Sequence, residues 1–261
     1  MKYFDTHAHY NDKVYKENLD EVLNECIKKG VEYIVNVGAS INESLESIEL
    51  ARKYPYIFSS IGIHPQNVKT DKVQDLYDMY TRNVNGKVVA VGEIGLDYHY
   101  TKDEKQIQKK VFIEQIELAN TLKLPILIHT RDASLDTYEV IKNEKQAKYG
   151  TLFHCFNPTD DLMRLILKND DYMVAFGGNI TYKRSASFYD YIKQIPLSKI
   201  VVETDAPYLP PVPLRGTINT SSNLEIICNN LAKFKDIEEE KTKESVFNNA
   251  IRFYNIKNIV Y

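Results

Sequence analysis

The chain opens with the stretch Lys2-Tyr3-Phe4-Asp5-Thr6-His7-Ala8-His9, which we interpret as a β-strand that ends in two histidines. Side chains alternate between the two faces of a strand, so His7 and His9 point the same way, roughly 6–7 Å apart along the chain. Two imidazoles at that spacing can bind one metal ion, because neutral imidazole is the commonest metal ligand in proteins. The pair alone is equally compatible with two strand-end histidines that bind nothing.

Beyond this strand, short β-branched runs alternate with amphipathic stretches. Apolar residues at positions 19, 22, 23, 26 and 27 follow the spacing of a helix with one buried face. Seven further runs predict buried strands, at residues 33–38, 57–62, 88–93, 125–129, 151–154, 172–177 and 199–203. Ser40 with Glu43, and Ser222 with Glu225, match the capping box that begins a helix.

This alternation predicts an α/β protein. Eight strand–helix units in 261 residues average about 33 residues each, the size that a (β/α)8 barrel needs. The rival architecture, an open doubly wound sheet, has a Gly-x-Gly-x-x-Gly phosphate loop after its first strand, and that loop is absent here. We therefore predict one domain over residues 1–261, a (β/α)8 TIM-type barrel in regular or distorted form, with an extra C-terminal helix.

Composition limits the partners and the compartment. A net charge of −3 and a pI near 6.1 argue against a protein that coats long duplex nucleic acid, but they allow an enzyme that holds a few phosphates. The odd number of cysteines, three, without a C-x-x-C pair, suits reduced thiols. No signal peptide is evident, and no apolar run approaches the ~20 residues that span a membrane. We expect a cytoplasmic protein without a membrane partner.

Polar residues gather where the predicted strands end. Five of the six histidines and two carboxylates lie there, namely His7, His9, His64, Glu93, His129, His154 and Asp205. In a barrel the carboxyl ends of the strands form the active-site face. Four histidines and two carboxylates exceed the three protein ligands of a usual catalytic zinc site, and they suit two metals about 3.5–4 Å apart that share a carboxylate. Glu93, in the middle of the order, is the expected bridge.

At this point the sequence resembles one family, the TatD family of metal-dependent deoxyribonucleases, within the amidohydrolase-like barrel superfamily. The matching motifs are Asp5-Thr6-His7-Ala8-His9, Gly62-Ile63-His64-Pro65, Gly92-Glu93-Ile94-Gly95-Leu96-Asp97-Tyr98, His129-Thr130-Arg131-Asp132-Ala133, His154-Cys155-Phe156 and Glu203-Thr204-Asp205-Ala206-Pro207-Tyr208-Leu209. They occur in the family's order and cover residues 5 to 209, nearly the whole chain.

The resemblance implies two divalent metal ions (Mg, Mn or Zn), one held by His7, His9, Glu93 and Asp205, the other by Glu93, His129 and His154. Asp205 would orient or deprotonate the attacking water, so Asp205, Glu93 and His64 are the expected catalytic residues. His64 resembles the family histidine near the substrate phosphate; the alternative is a strand-end residue fixed by Pro65. Arg131 could bind a phosphate or brace a carboxylate. Asp97 and Glu203 would steady the ligands.

The expected activity is hydrolysis of DNA phosphodiester bonds, most simply as an exonuclease. Tyrosines and cations alternate in three loops, 98–102, 182–184 and 208–215, so we predict a single-stranded or frayed DNA end as partner, with no obligate protein partner. His64, Tyr98, Arg131 and Tyr208 are the predicted substrate-binding residues.

The departures from the family pattern leave the substrate open. Asn157-Pro158 replaces the usual Ser-Gly, and the segment from Arg215 to Ser221 also differs. The alternatives are a hydrolase of a small amide, lactone or phosphoester, and a non-catalytic metal-stabilised binding protein.

Overall fold

The computed structural model describes residues 2–83, 87–100, 102–144 and 146–256, with the backbone alone at 102, 144 and 184–186. Its strands are β1 (Tyr3–Ala8), β2 (Val31–Val37), β3 (Ile57–Ile61), β4 (Val88–Asp97), β5 (Ile126–Arg131), β6 (Thr151–Phe153), β7 (Tyr172–Phe176) and β8 (Ile200–Val202). Its α-helices are α1 (Leu19–Lys28), α2 (Ile41–Lys53), α3 (Val73–Arg82), α4 (Lys105–Leu122), α5 (Ser134–Glu139), α6 (Asp160–Lys168), α7 (Tyr189–Gln194), α8 (Leu224–Lys235) and α9 (Glu239–Phe253).

The strands follow one another in the sheet in the order β1 to β8, with helices between them. The first strand also meets the chain that leaves the last one: the Asp205 amide donates to the His7 carbonyl at 2.9 Å, and the His9 amide donates to the Ala206 carbonyl at 2.7 Å. An open sheet would leave these two strands as opposite edges. The predicted class, a (β/α)8 barrel, is confirmed.

The chain divides into two compact units, which we describe separately. Unit 1 comprises Met1–Asn36, Cys155–Asn157 and Val174–Tyr261, and unit 2 comprises Val37–His154 and Pro158–Met173. The single domain over residues 1–261 stays a prediction.

In unit 1 an aromatic cluster joins the first strand to the last helix. The Phe4 ring lies 5.6 Å from that of Tyr33 and 5.8 Å from that of Tyr254, centroid to centroid, and the Phe247 ring completes the cluster. The Tyr254 hydroxyl donates to the Thr6 carbonyl at 2.9 Å. The predicted extra C-terminal helix is therefore present as α9, and it supports the strand that carries the two histidines.

In unit 2 strand β4 is longer than the sequence predicted. It continues to Asp97, whereas the sequence predicted a strand over residues 88–93. Glycine is required at position 92 because β4 and β5 approach closely there: a Cβ on residue 92 would lie 2.4 Å from the Leu127 Cβ. Gly95 has φ +138°, and its Cβ would meet the His129 carbonyl oxygen at 2.0 Å. Both glycines let β4 lie close against β5 on either side of Glu93.

The structure shows the first turns of the two helices for which the sequence predicted a capping box. The Ser40 hydroxyl accepts the Glu43 amide at 3.2 Å, so the first cap is confirmed. The second is wrong: α8 begins after Asn223, and the Ser222 hydroxyl donates to the Cys26 sulfur at 3.4 Å because a 3-10 turn at 221–223 carries it away from the helix end. Within the described ranges, no helix is both long and apolar enough to cross a membrane.

Candidate metal centre

Unit 1 contains three ligand atoms close together, which we call the first triangle: His7 Nε2, His9 Nε2 and Asp205 Oδ1. The two imidazole nitrogens are 3.2 Å apart. The Asp205 oxygen lies 3.7 Å from His7 and 3.5 Å from His9. Asp205 has φ +58°, a left-handed conformation that aspartate tolerates better than most residues. The two histidines predicted to share a strand face do so.

Behind the first triangle lies Asp5, fully buried on β1. Its carboxylate accepts the amides of His7 at 3.3 Å and Thr204 at 2.9 Å, and the hydroxyls of Thr204 and of Ser221, the latter at 2.6 Å. Burial raises the pKa of Asp5 to about 7, although these hydrogen bonds act in the opposite direction. Asp5 thus ties the backbone of one histidine ligand to the residue before Asp205.

Unit 2 contains an equivalent set, the second triangle: Glu93 Oε2, His129 Nδ1 and His154 Nε2. The Glu93 oxygen lies 2.9 Å from His154 and 3.6 Å from His129, and the two imidazole nitrogens are 3.2 Å apart. Burial alone would raise the pKa of Glu93, but His154 and His129 outweigh it and hold that pKa well below its usual range.

Asp97 braces the second triangle directly. Its Oδ2 lies 3.2 Å from His129 Nε2, so a proton on Nε2 leaves the Nδ1 lone pair directed into the triangle. Burial would lower the pKa of His129, yet the contacts with Asp97 and Glu93 raise it. The Gln108 side chain accepts the Asp97 amide at 2.9 Å and fixes the end of β4.

Both triangles have dimensions that fit one ion each. Atoms about 2.0–2.2 Å from a tetrahedral metal ion are separated from one another by roughly 3.3–3.6 Å. The six measured edges fall between 2.9 and 3.7 Å. Each triangle has two imidazoles and one carboxylate, a set that suits zinc or manganese better than magnesium, which prefers oxygen ligands. The residues present therefore fit divalent metal ions.

His64 lies beside the second triangle with its ring edge-on to that of His129, 4.5 Å between centroids. Its Nδ1 accepts the Gln66 amide at 3.2 Å. Burial lowers the pKa of His64 to about 4, so the ring is neutral at physiological pH. A neutral ring whose Nδ1 accepts must carry its proton on Nε2.

The predicted substrate residues differ in exposure. The Arg131 guanidinium lies 4.7 Å above the Tyr100 ring, which is 61% exposed. Tyr208 is 52% exposed, and its hydroxyl donates to Asp12 at 2.9 Å. Tyr98 is only 5% exposed, and its hydroxyl donates to Asp136 at 2.7 Å.

Of the three predicted substrate loops, part falls outside what the structure describes. Thr101 and the side chains of Lys102 and Arg184 lie outside the described residues. Tyr182 is buried, with its hydroxyl donating to the Pro210 carbonyl at 2.9 Å.

Sequence reasoning missed the supporting roles of three residues and the contact between Arg131 and Tyr100, a residue of the predicted loop 98–102. Thr204, Ser221 and Asp5 form the network behind the first triangle, and Tyr100 carries the Arg131 guanidinium. Asp5 belongs to the motif Asp5-Thr6-His7-Ala8-His9, and its place in that motif was the one sign in the sequence of a role near the histidines. The role expected for Glu203, steadying the site, agrees with its Oε1 accepting the Cys155 amide at 2.6 Å, directly after His154.

Comparison with known proteins agrees with this geometry. The family model for TatD related DNase matches residues 4–255. The chain is 36% identical over 253 residues to the uncharacterized metal-dependent hydrolase YabD of Bacillus subtilis (strain 168), covering 97% of this chain and 99% of that protein. It is 30% identical over 255 residues to the uncharacterized metal-dependent hydrolase YcfH of Escherichia coli (strain K12), covering 97% and 95%. The solved structure of the TatD homolog YJJV from Escherichia coli K12 has a TM-score of 0.89, with 24% identity and 98% of each chain covered.

Proposed function

Because the chain belongs to the TatD-related DNase family of metal-dependent hydrolases, we propose that it hydrolyses DNA phosphodiester bonds with two divalent metal ions, acting as an exonuclease. The observation that carries this proposal is the pair of ligand triangles, each of a size for one ion. Following the family resemblance, we propose that Glu93 is also a ligand of the ion at the first triangle. Mg, Mn or Zn at such a pair would supply positive charge that lowers the pKa of water and offsets the charge of a phosphate.

Asp205 is the proposed general base. It is the carboxylate of the first triangle, and its side chain is partly exposed where that of His7 is buried. An aspartate in that position can accept the proton of an attacking water while its second oxygen stays with the imidazoles. Glu93, almost fully buried with its pKa held low, stays ionised and serves as a fixed negative ligand.

His64 is proposed as a hydrogen-bond donor to the substrate phosphate. With Nδ1 accepting the Gln66 amide, its Nε2 carries the proton and has no lone pair for a metal ion. His129 differs, because Asp97 accepts from its Nε2 and leaves Nδ1 for the metal. The tautomers thus support a phosphate role for His64 and a ligand role for His129.

The proposed substrate is a single-stranded or frayed DNA end. Arg131 and the exposed rings of Tyr100 and Tyr208 combine a cation with flat surfaces on which unpaired bases can stack, at roughly 1–3 kcal/mol per base. Tyr98 keeps its predicted place in the substrate site as part of this proposal, held by Asp136. A net charge of −3 favours few phosphate contacts and hence a strand end over a long duplex.

The test compares three labelled substrates with Mg²⁺, Mn²⁺ or Zn²⁺ added: a 5′-labelled single strand, its blunt duplex and a closed circular single strand. We expect progressive shortening of the single strand, slower attack on the duplex and no cleavage of the circle. Asp205→Asn protein prepared in the same way controls for a contaminating nuclease.

Three outcomes would contradict parts of this proposal. Rapid cleavage of the circle would show an endonuclease. Turnover of a simple amide or phosphomonoester, with all three DNA substrates intact, would favour the small-substrate hydrolase. Binding of one ion at saturation would exclude the two-metal arrangement.

We also propose a cytoplasmic location, which is supported by three cysteines, all within the described residues, that form no disulfide.

A further inference from the structure

A second concave site lies in unit 2. It is a cavity of about 420 Å³ bounded by α5 with the turn that follows it, α6 and the start of β7. Its lining consists of Tyr138, Ile141, Lys142, Gln146, Arg164, Leu165, Lys168, Asn169 and Tyr172. Pockets that bind small molecules are typically about 300–1,000 Å³. The cavity is thus large enough for one small organic ligand.

The cavity and the second triangle lie at opposite ends of the same strands. Gln146 precedes β6 and Tyr172 is the first residue of β7, so the cavity lies towards the amino ends. His129 and His154 lie at the carboxyl ends of β5 and β6. In a barrel the chemistry belongs to the carboxyl ends, and the cavity is not part of that face.

The lining separates into an apolar floor and a basic rim. Ile141, Leu165 and Tyr172 are buried and form the floor. The exposed side chains of Lys142, Arg164 and Lys168 stand around it, and none of the described lining residues is acidic. The three cations outnumber the two carboxylates, Glu139 and Asp161, that act on this rim from outside the lining, so the rim carries a net positive charge.

The contacts that the rim side chains make within the protein leave their positive charges available to an anionic ligand. Lys142 Nζ donates to the Tyr138 hydroxyl at 2.7 Å and lies 4.9 Å above the ring centroid, so a neutral group orients it. The Arg164 guanidinium lies 3.8 Å from Asp161, an exposed pair that contributes little. A ligand with two negative charges can therefore interact with the rim without breaking a strong ion pair.

We propose that this cavity binds a phosphate monoester with a flat, largely apolar body, the chemistry of a nucleoside monophosphate. The phosphate would lie among Lys142, Lys168 and Arg164, and the flat body would cover the floor of Ile141, Leu165 and Tyr172. Lysine and arginine are the usual phosphate partners, and a buried apolar floor favours a ring system over a bare anion. This proposal does not depend on the reaction at the metal centre.

The test is equilibrium dialysis of labelled adenosine monophosphate against the metal-loaded protein, with adenosine and inorganic phosphate as competitors. Because a metal centre can also bind phosphate, the key variant is Lys142→Gln/Lys168→Gln. Its matched control, Lys28→Gln/Lys110→Gln, removes the same charge from exposed positions on α1 and α4. His129→Ala provides a chain with a changed metal centre and an intact cavity.

We expect the cavity variant to bind the nucleotide at least about tenfold more weakly, the usual effect of losing charged hydrogen bonds, with unchanged nuclease activity. The control variant and His129→Ala should keep wild-type affinity, and each competitor should be at least about tenfold weaker than the nucleotide. Wild-type affinity in the cavity variant, or loss of binding in His129→Ala alone, would overturn the site. Adenosine or inorganic phosphate binding as tightly as the nucleotide would overturn the ligand class, and no binding at millimolar nucleotide would overturn both.

Discussion

The two ligand triangles have almost the same dimensions, but they are supported in different ways. In unit 1, Asp5 holds the first triangle through the main chain, by accepting the amides of His7 and Thr204. In unit 2, Asp97 contacts an imidazole of the second triangle itself, at 3.2 Å from His129 Nε2. Asp97 Oδ1 also accepts the main-chain amides of His99 and Tyr100, at 2.9 and 3.3 Å, but neither residue belongs to the triangle. Asp5 thus fixes the position of candidate ligands, whereas Asp97 fixes which nitrogen of His129 carries the proton.

Two sets of candidate ligands with nearly the same distances can therefore be held in place by different kinds of contact. Loss of a main-chain anchor should disturb folding and the position of several groups together. Replacing Asp97 with Asn should change the affinity for one ion and disturb the fold less, because the amide oxygen can still accept the main-chain amides of His99 and Tyr100. The variants below test this contrast, beginning with the one expected to lose the most activity.

The largest effect is expected from Asp205→Asn in the first triangle. Removing the proposed base should lower kcat by about 10²-fold or more, the usual contribution of a positioned acid–base group. Steady-state nuclease assays would measure it, with Asp132→Asn, an exposed carboxylate of β5's loop, as the control. A variant with near wild-type kcat would remove Asp205 from the mechanism.

Next is His129→Ala in the second triangle. We expect one bound ion per chain where the wild type binds two, since the first triangle keeps all three of its own ligand atoms. Metal analysis after dialysis against Mn²⁺ or Zn²⁺ would count the ions. His99→Ala, which changes an exposed histidine paired with Asp132, should retain two. Loss of both ions in His129→Ala would show that the triangles do not bind independently.

Asp97→Asn should weaken the ion of the second triangle by about 10–100-fold, because a support of this kind typically contributes that much. The ion of the first triangle should keep its affinity. Calorimetric titration with Zn²⁺ at pH 7 would resolve the two. The wild type should also release more protons on binding than the variant, since Asp97 raises the pKa of His129 and the ligand nitrogen must lose its proton. Equal proton release would contradict this account.

Asp5→Asn should act on the fold before it acts on metal affinity. The amide cannot accept all four donated hydrogen bonds, which should cost about 1–3 kcal/mol and lower the melting temperature by about 2–10 °C. Thermal unfolding of the metal-free protein would measure it. Asp97→Asn in the same assay should change the melting temperature less. The reverse order would invert the contrast between the two supports.

The smallest effect is expected from Arg131→Gln. Its guanidinium lies on the exposed Tyr100 ring, so its loss should raise KM for single-stranded DNA by about threefold and leave kcat nearly unchanged. Lys110→Gln on α4 is the matched control for loss of one positive charge. A fall in kcat with unchanged KM would move Arg131 from substrate binding to the support of the ligands.

The alternation of strands and helices, and the six candidate ligand residues, could be predicted from the sequence alone. A strand has a period of two, so His7 and His9 must share a face, and a barrel gathers its strand ends on one side, so the other polar residues could be assigned to that side. Gly92 and Gly95 belong to one of the family motifs, but the sequence did not show why glycine is needed there. The reason is the close approach of β4 to β5. The extension of β4 to Asp97 was missed because pairing with β5 overrides the local turn signals of that glycine-rich segment.

The groups that support the triangles, and the rings that face solvent, became visible in the folded structure alone. Asp5 and Ser221 are 216 residues apart in the chain, and nothing local to either one predicts their hydrogen bond. The proton position on His129 depends on Asp97, 32 residues away, and Tyr98 and Tyr182 are buried although they lie in segments like those of Tyr100 and Tyr208. Periodicity fixes the face of a strand on which a side chain lies, but burial and hydrogen-bond partners depend on chain segments brought together by folding.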